Sequence, residues 1–222
     1  MTRRAPFIVV EGLDRSGKTT QTASLCSRLE QADHRVALMK FPDRTTAIGK
    51  MIDSYLRSQS ELDDHAIHLL FSANRWELAQ TIETHLNANT VVVCDRYAFS
   101  GIAFSAAKGL SLEWCRSPDI GLPAPDLTLF LDITPEKARE RGGYGEERYE
   151  KEEMQRKVRE IFQKLSSEVD TQAGREGNEK SRWVVVDAGR DQETVSADIW
   201  GHVAGLAEGL DENIARLWTE KL

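Results

Sequence analysis

Five short apolar segments stand out along the chain, and each is rich in β-branched residues. They occupy residues 6–11, 35–41, 90–95, 127–133 and 182–188. Apolar residues fill both alternating sets of positions in these segments, which is typical of strands covered on both faces. The pattern therefore predicts five buried strands of a parallel sheet.

The segments between these strands carry apolar residues at helical spacing. Helices are predicted over residues 18–32, 45–58, 62–87, 97–107, 135–141, 150–171 and 191–209. Regular alternation of strand and helix predicts an α/β fold, in which a five-stranded parallel sheet is flanked by helices on both faces. Ligands of such sheets bind at the carboxyl ends of the strands. The polar, glycine-bearing stretch 172–181 predicts a loop in solvent.

The first strand runs directly into a glycine-rich segment, Gly12-Leu13-Asp14-Arg15-Ser16-Gly17-Lys18-Thr19. The pattern Gly-x-x-x-x-Gly-Lys-Thr between a strand and a helix is the phosphate-binding P-loop, so the sequence predicts a P-loop NTPase fold. Backbone N–H groups of such a loop surround a polyphosphate, the lysine reaches the outer phosphates, and the threonine hydroxyl holds Mg²⁺. The residues of this segment that are predicted to bind ATP are Gly12, Arg15, Ser16, Gly17, Lys18, Thr19 and Thr20.

Two charged side chains near the P-loop each allow two interpretations. Asp95 ends the third predicted strand and either caps the next helix or faces the Mg²⁺; a P-loop in the same sheet favours the metal role. Arg15 is either a solvated loop residue or an arginine finger supplied in cis beside the γ-phosphate. Arg96 follows Asp95 directly, and we expect it to point toward the same crevice.

Two further segments are ambiguous from local pattern alone. Phe71 and Arg75 are four residues apart on a predicted helix and share one face, which suits either a base-binding surface or a core phenylalanine beside a surface arginine. Spacing alone favours the second interpretation. Residues 136–150 contain glycines at 142, 143 and 145 among many charges, which suits either a mobile lid or a solvated charged helix.

Composition limits the class of protein. The chain has 222 residues, which suits a single domain over 1–222, and its net charge of −7 argues against a protein that coats nucleic acid. Its three cysteines lack metal-ligand spacing, no apolar stretch reaches transmembrane length, and the first strand begins too early for a leader peptide. The sequence therefore predicts a cytoplasmic location, with a nuclear one left open, and neither a nucleic-acid nor a membrane partner.

The chain closely resembles the thymidylate kinase family from about Phe7 to Arg216. The most specific matching segments are residues 11–21, 41–44, 68–77, 95–101, 121–126 and 147–150. The resemblance implies one P-loop nucleoside monophosphate kinase domain with a lid at about 136–150. It also implies phosphorylation of dTMP to dTDP by ATP on the route to dTTP, Mg²⁺ as cofactor, and a homodimer. The arginine inside the P-loop is similar to that of the eukaryotic type of the family.

The resemblance also implies roles for individual residues. The residues implied to be catalytic are Asp14, Arg15, Lys18 and Arg96. The residues implied to bind dTMP are Asp14, Phe41, Arg44, Phe71, Arg75, Arg96, Ser100, Gly101, Phe104, Tyr149 and Gln155. The remaining implied ligands are Arg141 and Arg190 for the adenine side of ATP, and Thr19 and Asp95 for the metal.

Within the implied dTMP site, each group of residues meets a different part of the nucleotide. Arg44 and Arg96 would hold the phosphate, and Asp14 would accept a hydrogen bond from the sugar 3′-hydroxyl. Phe71 would stack on thymine while Arg75 donates to its O4. Two alternatives remain. A deoxynucleoside kinase would share the P-loop but would need a general base for a neutral hydroxyl. A non-catalytic P-loop switch protein would carry the guanine-binding motif Asn-Lys-x-Asp, which this sequence lacks.

Overall fold

The computed structural model describes residues 3–141, 147–176 and 182–219. The strands within these residues are β1 Phe7–Gly12, β2 Arg35–Lys40, β3 Thr90–Asp95, β4 Leu127–Asp132 and β5 Arg182–Asp187. They form one all-parallel sheet in the order β2-β3-β1-β4-β5. All five predicted strands are confirmed, and their ends lie within one residue of the predicted ends.

Helices connect the strands and cover the sheet. Within the described residues they are α1 Lys18–Gln31, α2 Ala47–Leu56, α3 Asp64–Asn87, α4 Ala98–Ala106, α5 Leu112–Arg116, α6 Pro135–Glu140, α7 Glu152–Glu176 and α8 Gln192–Ala207. The connection from β1 to β2 runs along the sheet in one direction, and the later connections, through β3 and β4 to β5, run in the other, so right-handed crossovers divide the helices between the two faces. α1 and α8 pack together on one face, and α3, α4 and α7 form the layer on the other.

Two helical segments differ from the prediction. α5 and a 3₁₀ turn at Ser117–Asp119 were not predicted, because segments of five and three residues are too short to display a helical period. α7 continues to Glu176, so the first half of the stretch predicted as a loop, 172–181, is helical. A single glycine inside a helix costs only about 1 kcal/mol and does not end it. Residues 177–181 and the glycines predicted as a hinge, at 142, 143 and 145, lie outside the described residues.

The expectation that all five strands are covered on both faces holds only for the middle of the sheet. β1 is buried throughout, and β3 and β4 are almost fully buried, whereas the edge strands β2 and β5 each have three exposed residues. Leu38 on β2 and Val185 on β5 are exposed, because each edge strand lies at the limit of the helix layers. None of the described helices is both long and apolar enough to cross a lipid bilayer.

Candidate active site

A cavity of about 560 Å³ lies where β1 and β3 end side by side. Neighbouring parallel strands end at the same edge of a sheet, so residues that follow them meet there. Nearly all residues predicted for the site line this cavity, including the P-loop cations and the Phe71–Arg75 pair on α3. The predicted residues that are not among its lining are Gly12, Ser16, Gln155 and Arg190.

The P-loop backbone takes a shape that requires glycine. Gly12 has a φ of 152°, and a Cβ there would lie 2.7 Å from Ser16 Oγ and 2.8 Å from the carbonyl oxygen of Leu131. Gly17 has a φ of 93° and forms the N-cap of α1. Only glycine enters this left-handed region without strain, so the two glycines turn the loop around the start of α1. The positive end of that helix therefore faces the cavity.

Lys18 is folded back onto the P-loop. Its Nζ donates to the carbonyl oxygen of Leu13 at 2.5 Å and lies 3.4 Å from Ser16 Oγ. Burial, together with the nearby positive charge of Arg96, lowers the pKa of Lys18 to about 7. The nearby carboxylates of Asp14, Asp95 and Glu11 offset this lowering only in part, so an approaching anion would favour the charged form of Lys18.

Asp14 and Arg96 form an ion pair that Gln155 completes. Arg96 Nη2 contacts Asp14 Oδ1, while Gln155 Nε2 donates to Asp14 Oδ2 at 2.8 Å. Arg96 Nη1 also donates to the carbonyl oxygen of Gly12 at 2.9 Å and to Ser100 Oγ at 3.1 Å. Burial alone would raise the pKa of Asp14, but the positive charge of Arg96 helps to hold it below its usual value. The pair ties the P-loop to the start of α4.

Glu11 is a buried carboxylate at the end of β1 that the sequence analysis did not assign to the site. It accepts hydrogen bonds from the backbone N–H groups of Tyr97 and Ser100, both at 3.0 Å, and from Ser100 Oγ at 2.5 Å. Burial raises its pKa, and the hydrogen bond from the Ser100 side chain acts in the opposite direction. Glu11, which lies on β1, thus caps the N-terminus of α4. The sequence feature that could have identified it is a carboxylate near the end of an otherwise apolar strand.

Thr19 and Asp95 offer oxygen atoms suited to a magnesium ion. Thr19 Oγ1 donates to Asp95 Oδ2 at 2.9 Å, and Lys40 Nζ lies 3.6 Å from the same oxygen. Asp95 Oδ1 is buried and accepts no hydrogen bond within the described residues. A buried carboxylate oxygen without a partner is costly, and a cation or its water ligands would satisfy it. The donor set therefore fits Mg²⁺.

Two arginines predicted to bind phosphates are held by carboxylates that lie just before α7. Arg44 donates from Nη1 and Nη2 to the two carboxylate oxygens of Glu147, at 2.8 and 3.1 Å, and from Nη1 to Asp53 at 2.6 Å. Arg15 Nη2 lies 3.3 Å from Glu150 Oε1. Glu147 and Glu150 occur in a segment that carried the family resemblance, but the sequence analysis gave them no role.

Arg141 and Arg190, both predicted for the adenine side, differ in position. Arg141 lines the cavity and donates to the carbonyl oxygens of Arg15, at 3.1 Å, and of Ala188, at 2.5 Å. It therefore connects the P-loop with the segment after β5. Arg190 instead forms an ion pair with Asp198 on α8.

Aromatic side chains form another part of the cavity wall. Phe104 on α4 stacks on Tyr149, with ring centroids 5.3 Å apart, and the Arg96 guanidinium carbon lies 5.4 Å from the Phe104 ring centroid. Phe71 on α3 is half-buried and also lines the cavity. The cavity thus combines a cationic, anion-binding region with apolar surfaces on which a planar ring can lie.

The position of Lys18 generates a testable prediction about proton uptake. A triphosphate beside Lys18 favours the charged ammonium, so its pKa should rise on binding. We expect ATP binding with Mg²⁺ in excess to take up about half a proton at pH 7 and about one at pH 8.5. Calorimetric titrations in two buffers that differ in ionisation enthalpy measure this number directly.

The matched control for this titration is Lys18→Arg. An arginine remains protonated at every accessible pH, so binding to this variant should take up no proton at this position. A binding enthalpy for the unmodified protein that is independent of the buffer would contradict the prediction.

Comparison with known proteins identifies the family. The thymidylate kinase family model matches residues 10–199. The chain is 59% identical over 165 residues to the thymidylate kinase of Schizosaccharomyces pombe, covering 74% of this chain and 79% of that one. It is 43% identical over 220 residues to the thymidylate kinase of Homo sapiens, covering 99% of this chain and 95% of that one.

A solved structure gives the same result for the fold. The thymidylate kinase of Candida albicans matches with a TM-score of 0.85 and 38% sequence identity, covering 97% of this chain and 99% of that one. The family match thus includes the P-loop, α3 and the segment before α7, which together surround the cavity. The chain belongs to the thymidylate kinase family.

Proposed function

We propose that this chain transfers the γ-phosphoryl group of ATP to dTMP, forming ADP and dTDP, which is the reaction of its family. The observation that carries the proposal is that a single cavity is lined both by the P-loop cations and by the Phe71–Arg75 pair. One region suits a triphosphate and the other a planar base. The cavity volume of about 560 Å³ is of the size that binds small-molecule ligands.

The chemistry requires positioning more than acid–base catalysis. A nucleoside monophosphate is largely dianionic at pH 7, because its second pKa is near 6, so its oxygen attacks phosphorus without a general base. Catalysis then rests on alignment and on neutralising the charge of the transferring group. Lys18 and Arg15 would act on the ATP phosphates, and Arg44 and Arg96 on the dTMP phosphate.

Two of the arginines proposed to bind phosphates form ion pairs with carboxylates. The contact of Glu147 with Arg44 and that of Glu150 with Arg15 are charge-assisted, and a phosphate offers more charge and more acceptor oxygens to the same guanidinium. We therefore expect each bound phosphate to replace a carboxylate. Mg²⁺ would be held by Thr19 and, through water, by Asp95, and when bound it neutralises charge on the ATP phosphates.

The sugar and base would be recognised by the remaining lining. Asp14 is ionised, and each of its oxygens can accept a further hydrogen bond besides those from Arg96 and Gln155, so it suits the 3′-hydroxyl. Phe71 offers a face for stacking. These assignments rest on family resemblance together with the position of each side chain at the cavity.

We further propose that residues 136–150 act as a lid within a single domain. The end of this segment is anchored: Arg148 Nε donates to the carbonyl oxygen of Tyr55, and Arg148 N donates to that of Leu56, both at 3.0 Å. Arg141 contacts the P-loop from the other end of the segment. An anchored end and a P-loop contact support closure over ATP. The glycines of this segment lie outside the described residues.

We also propose a homodimer formed through α2 and α3. Leu69 and Trp76 are seven residues apart on one face of α3 and are 48% and 41% exposed, and Met51 on α2 is 51% exposed. An apolar stripe on a pair of helices suits an isologous contact between two copies.

Activity on dTMP is the first test of the proposed reaction. A coupled assay of ADP release should show Mg²⁺-dependent turnover of ATP with dTMP and little with thymidine, because no general base is needed for a phosphate but one is needed for a sugar hydroxyl. Faster turnover of thymidine would establish a deoxynucleoside kinase instead, and ATP binding without any turnover would establish a switch protein.

Arg15→Ala tests the arginine finger. We expect kcat to fall by about 10²-fold or more with a small change in the KM for ATP, because the charge that Arg15 meets grows in the transition state. Arg139→Ala is the control, since Arg139 is an exposed arginine on α6 that pairs only loosely with Glu152, at 3.6 Å. A raised KM with unchanged kcat in Arg15→Ala would remove the finger role.

Sedimentation tests the dimer. At micromolar concentration we expect twice the chain mass of 25.0 kDa. Leu69→Glu should shift the protein to the monomer, because a carboxylate in a buried contact is poorly solvated. Val185→Glu introduces the same charge at an exposed apolar position on β5 and should leave the dimer intact. A monomeric unmodified protein would exclude the proposal.

A further inference from the structure

A buried ion pair holds the arginine that faces the base region of the cavity. Arg75 donates from Nε to Asp119 Oδ1 at 3.1 Å and from Nη2 to Asp119 Oδ2 at 2.6 Å. The two side chains are 2% and 0% exposed. Asp119 belongs to the 3₁₀ turn after α5, and it lies outside the segments that carried the family resemblance.

Neighbouring residues fix this pair from two further sides. Ser72 Oγ, one turn before Arg75 on α3, lies 2.7 Å from Asp119 Oδ1. The guanidinium also lies close to Gly101 of α4, where an added Cβ would come within 2.8 Å of both Nη1 and Nη2. The guanidinium therefore has little freedom to rotate or to withdraw.

This arrangement leaves the outer N–H groups of Arg75 for a ligand. Nε and one N–H of Nη2 donate to Asp119, and Arg75 lines the cavity, so the N–H groups of Nη1 and the second N–H of Nη2 remain for a bound ring. A guanidinium only donates hydrogen bonds. At a fixed position it therefore favours binding of a pyrimidine with a 4-oxo group, which accepts a hydrogen bond. It disfavours binding of a pyrimidine with a 4-amino group, which is itself a donor.

We propose that Asp119 is a positioning residue, supported by Ser72, that fixes Arg75 and so sets the preference of the site for 4-oxo over 4-amino pyrimidine nucleotides. The inference rests on the proposed dTMP kinase activity. Asp119 also cancels the charge of Arg75, which lets an uncharged ring bind beside a buried guanidinium rather than an anion. Among the described residues, the Asp119 carboxylate accepts hydrogen bonds from Arg75 and Ser72 and does not line the cavity, so it would act through Arg75.

The test compares dTMP, dUMP and dCMP as acceptors with Asp119→Asn and Ser72→Ala. In Asp119→Asn we expect the KM for dTMP to rise about 10-fold or more and the dTMP-to-dCMP ratio of kcat/KM to fall by a similar factor. Values for dUMP should follow those for dTMP, since both rings carry the 4-oxo group. The kcat at saturating dTMP and the KM for ATP should change by less than about 3-fold, because this contact is remote from the reacting phosphorus. Ser72→Ala should change the ratio in the same direction by about 3-fold.

A second, largely buried arginine–aspartate pair supplies the control. Arg4 donates to both carboxylate oxygens of Asp126 at 2.8 Å, and neither residue lines the cavity. Asp126→Asn should lower thermal stability as Asp119→Asn does, while the dTMP-to-dCMP ratio stays unchanged. A change in that ratio only in the Asp119 and Ser72 variants separates positioning from a general loss of stability.

Three results would overturn either the role of Asp119 or the proposed function. A folded Asp119→Asn variant with an unchanged KM for dTMP and an unchanged ratio overturns the inference. If Asp119→Asn does not fold, Ser72→Ala decides, and an unchanged ratio in that variant overturns it. An unmodified protein that does not phosphorylate dTMP overturns the proposed function itself, which the same assay reveals before any variant is compared.

Discussion

The cations of the cavity have to be compensated by the chain itself for as long as no phosphate is bound. Arg96 is paired with Asp14 and Arg44 with Glu147, so each guanidinium keeps a carboxylate partner. Lys18 donates to a carbonyl oxygen instead, and its burial, together with the positive charge of Arg96, lowers its pKa to about 7. The whole chain has a net charge of −7, so carboxylates are abundant. The positive charge of the cleft therefore depends on where the chain places its lysines and arginines.

Pairing of the arginines with carboxylates would link phosphate binding to the position of the turn before α7. Glu147 and Glu150 belong to one short turn, in which Glu150 N donates to the carbonyl oxygen of Glu147 at 3.1 Å. Their arginine partners come from two different parts of the cavity lining, the P-loop and the segment after β2. A phosphate that displaces one carboxylate therefore acts on the same turn as a phosphate that displaces the other. In the proposed reaction, binding of ATP and binding of dTMP would thus both act on the turn that contains Glu147 and Glu150.

Around Arg75, where the base is proposed to bind, the charges are arranged differently. Arg75 is neutralised by Asp119 in a pair that is closed to solvent, and a bound ring would have no charge with which to replace that partner. The cost of burying such a pair is seldom recovered as stability, and its benefit lies in fixing the direction of a donor. In the proposed reaction, the pairs that a phosphate would replace and the pair that would stay intact would correspond to the charged and uncharged parts of a nucleotide.

Local sequence patterns predicted the sheet and the P-loop, whereas most of the other residues that line the cavity were identified only through the family resemblance. Continuous apolar runs indicate buried strands, and the spacing of Gly12 and Gly17 indicates a loop that only glycine can form. Which charged side chains lie together is apparent only in the folded chain. Asp119 lies 44 residues from Arg75 along the chain, and Glu11 lies 86 residues from the helix start that it caps. No periodicity encodes such pairs, since their distances are set by how α3, α4 and the turn after α5 dock on the sheet.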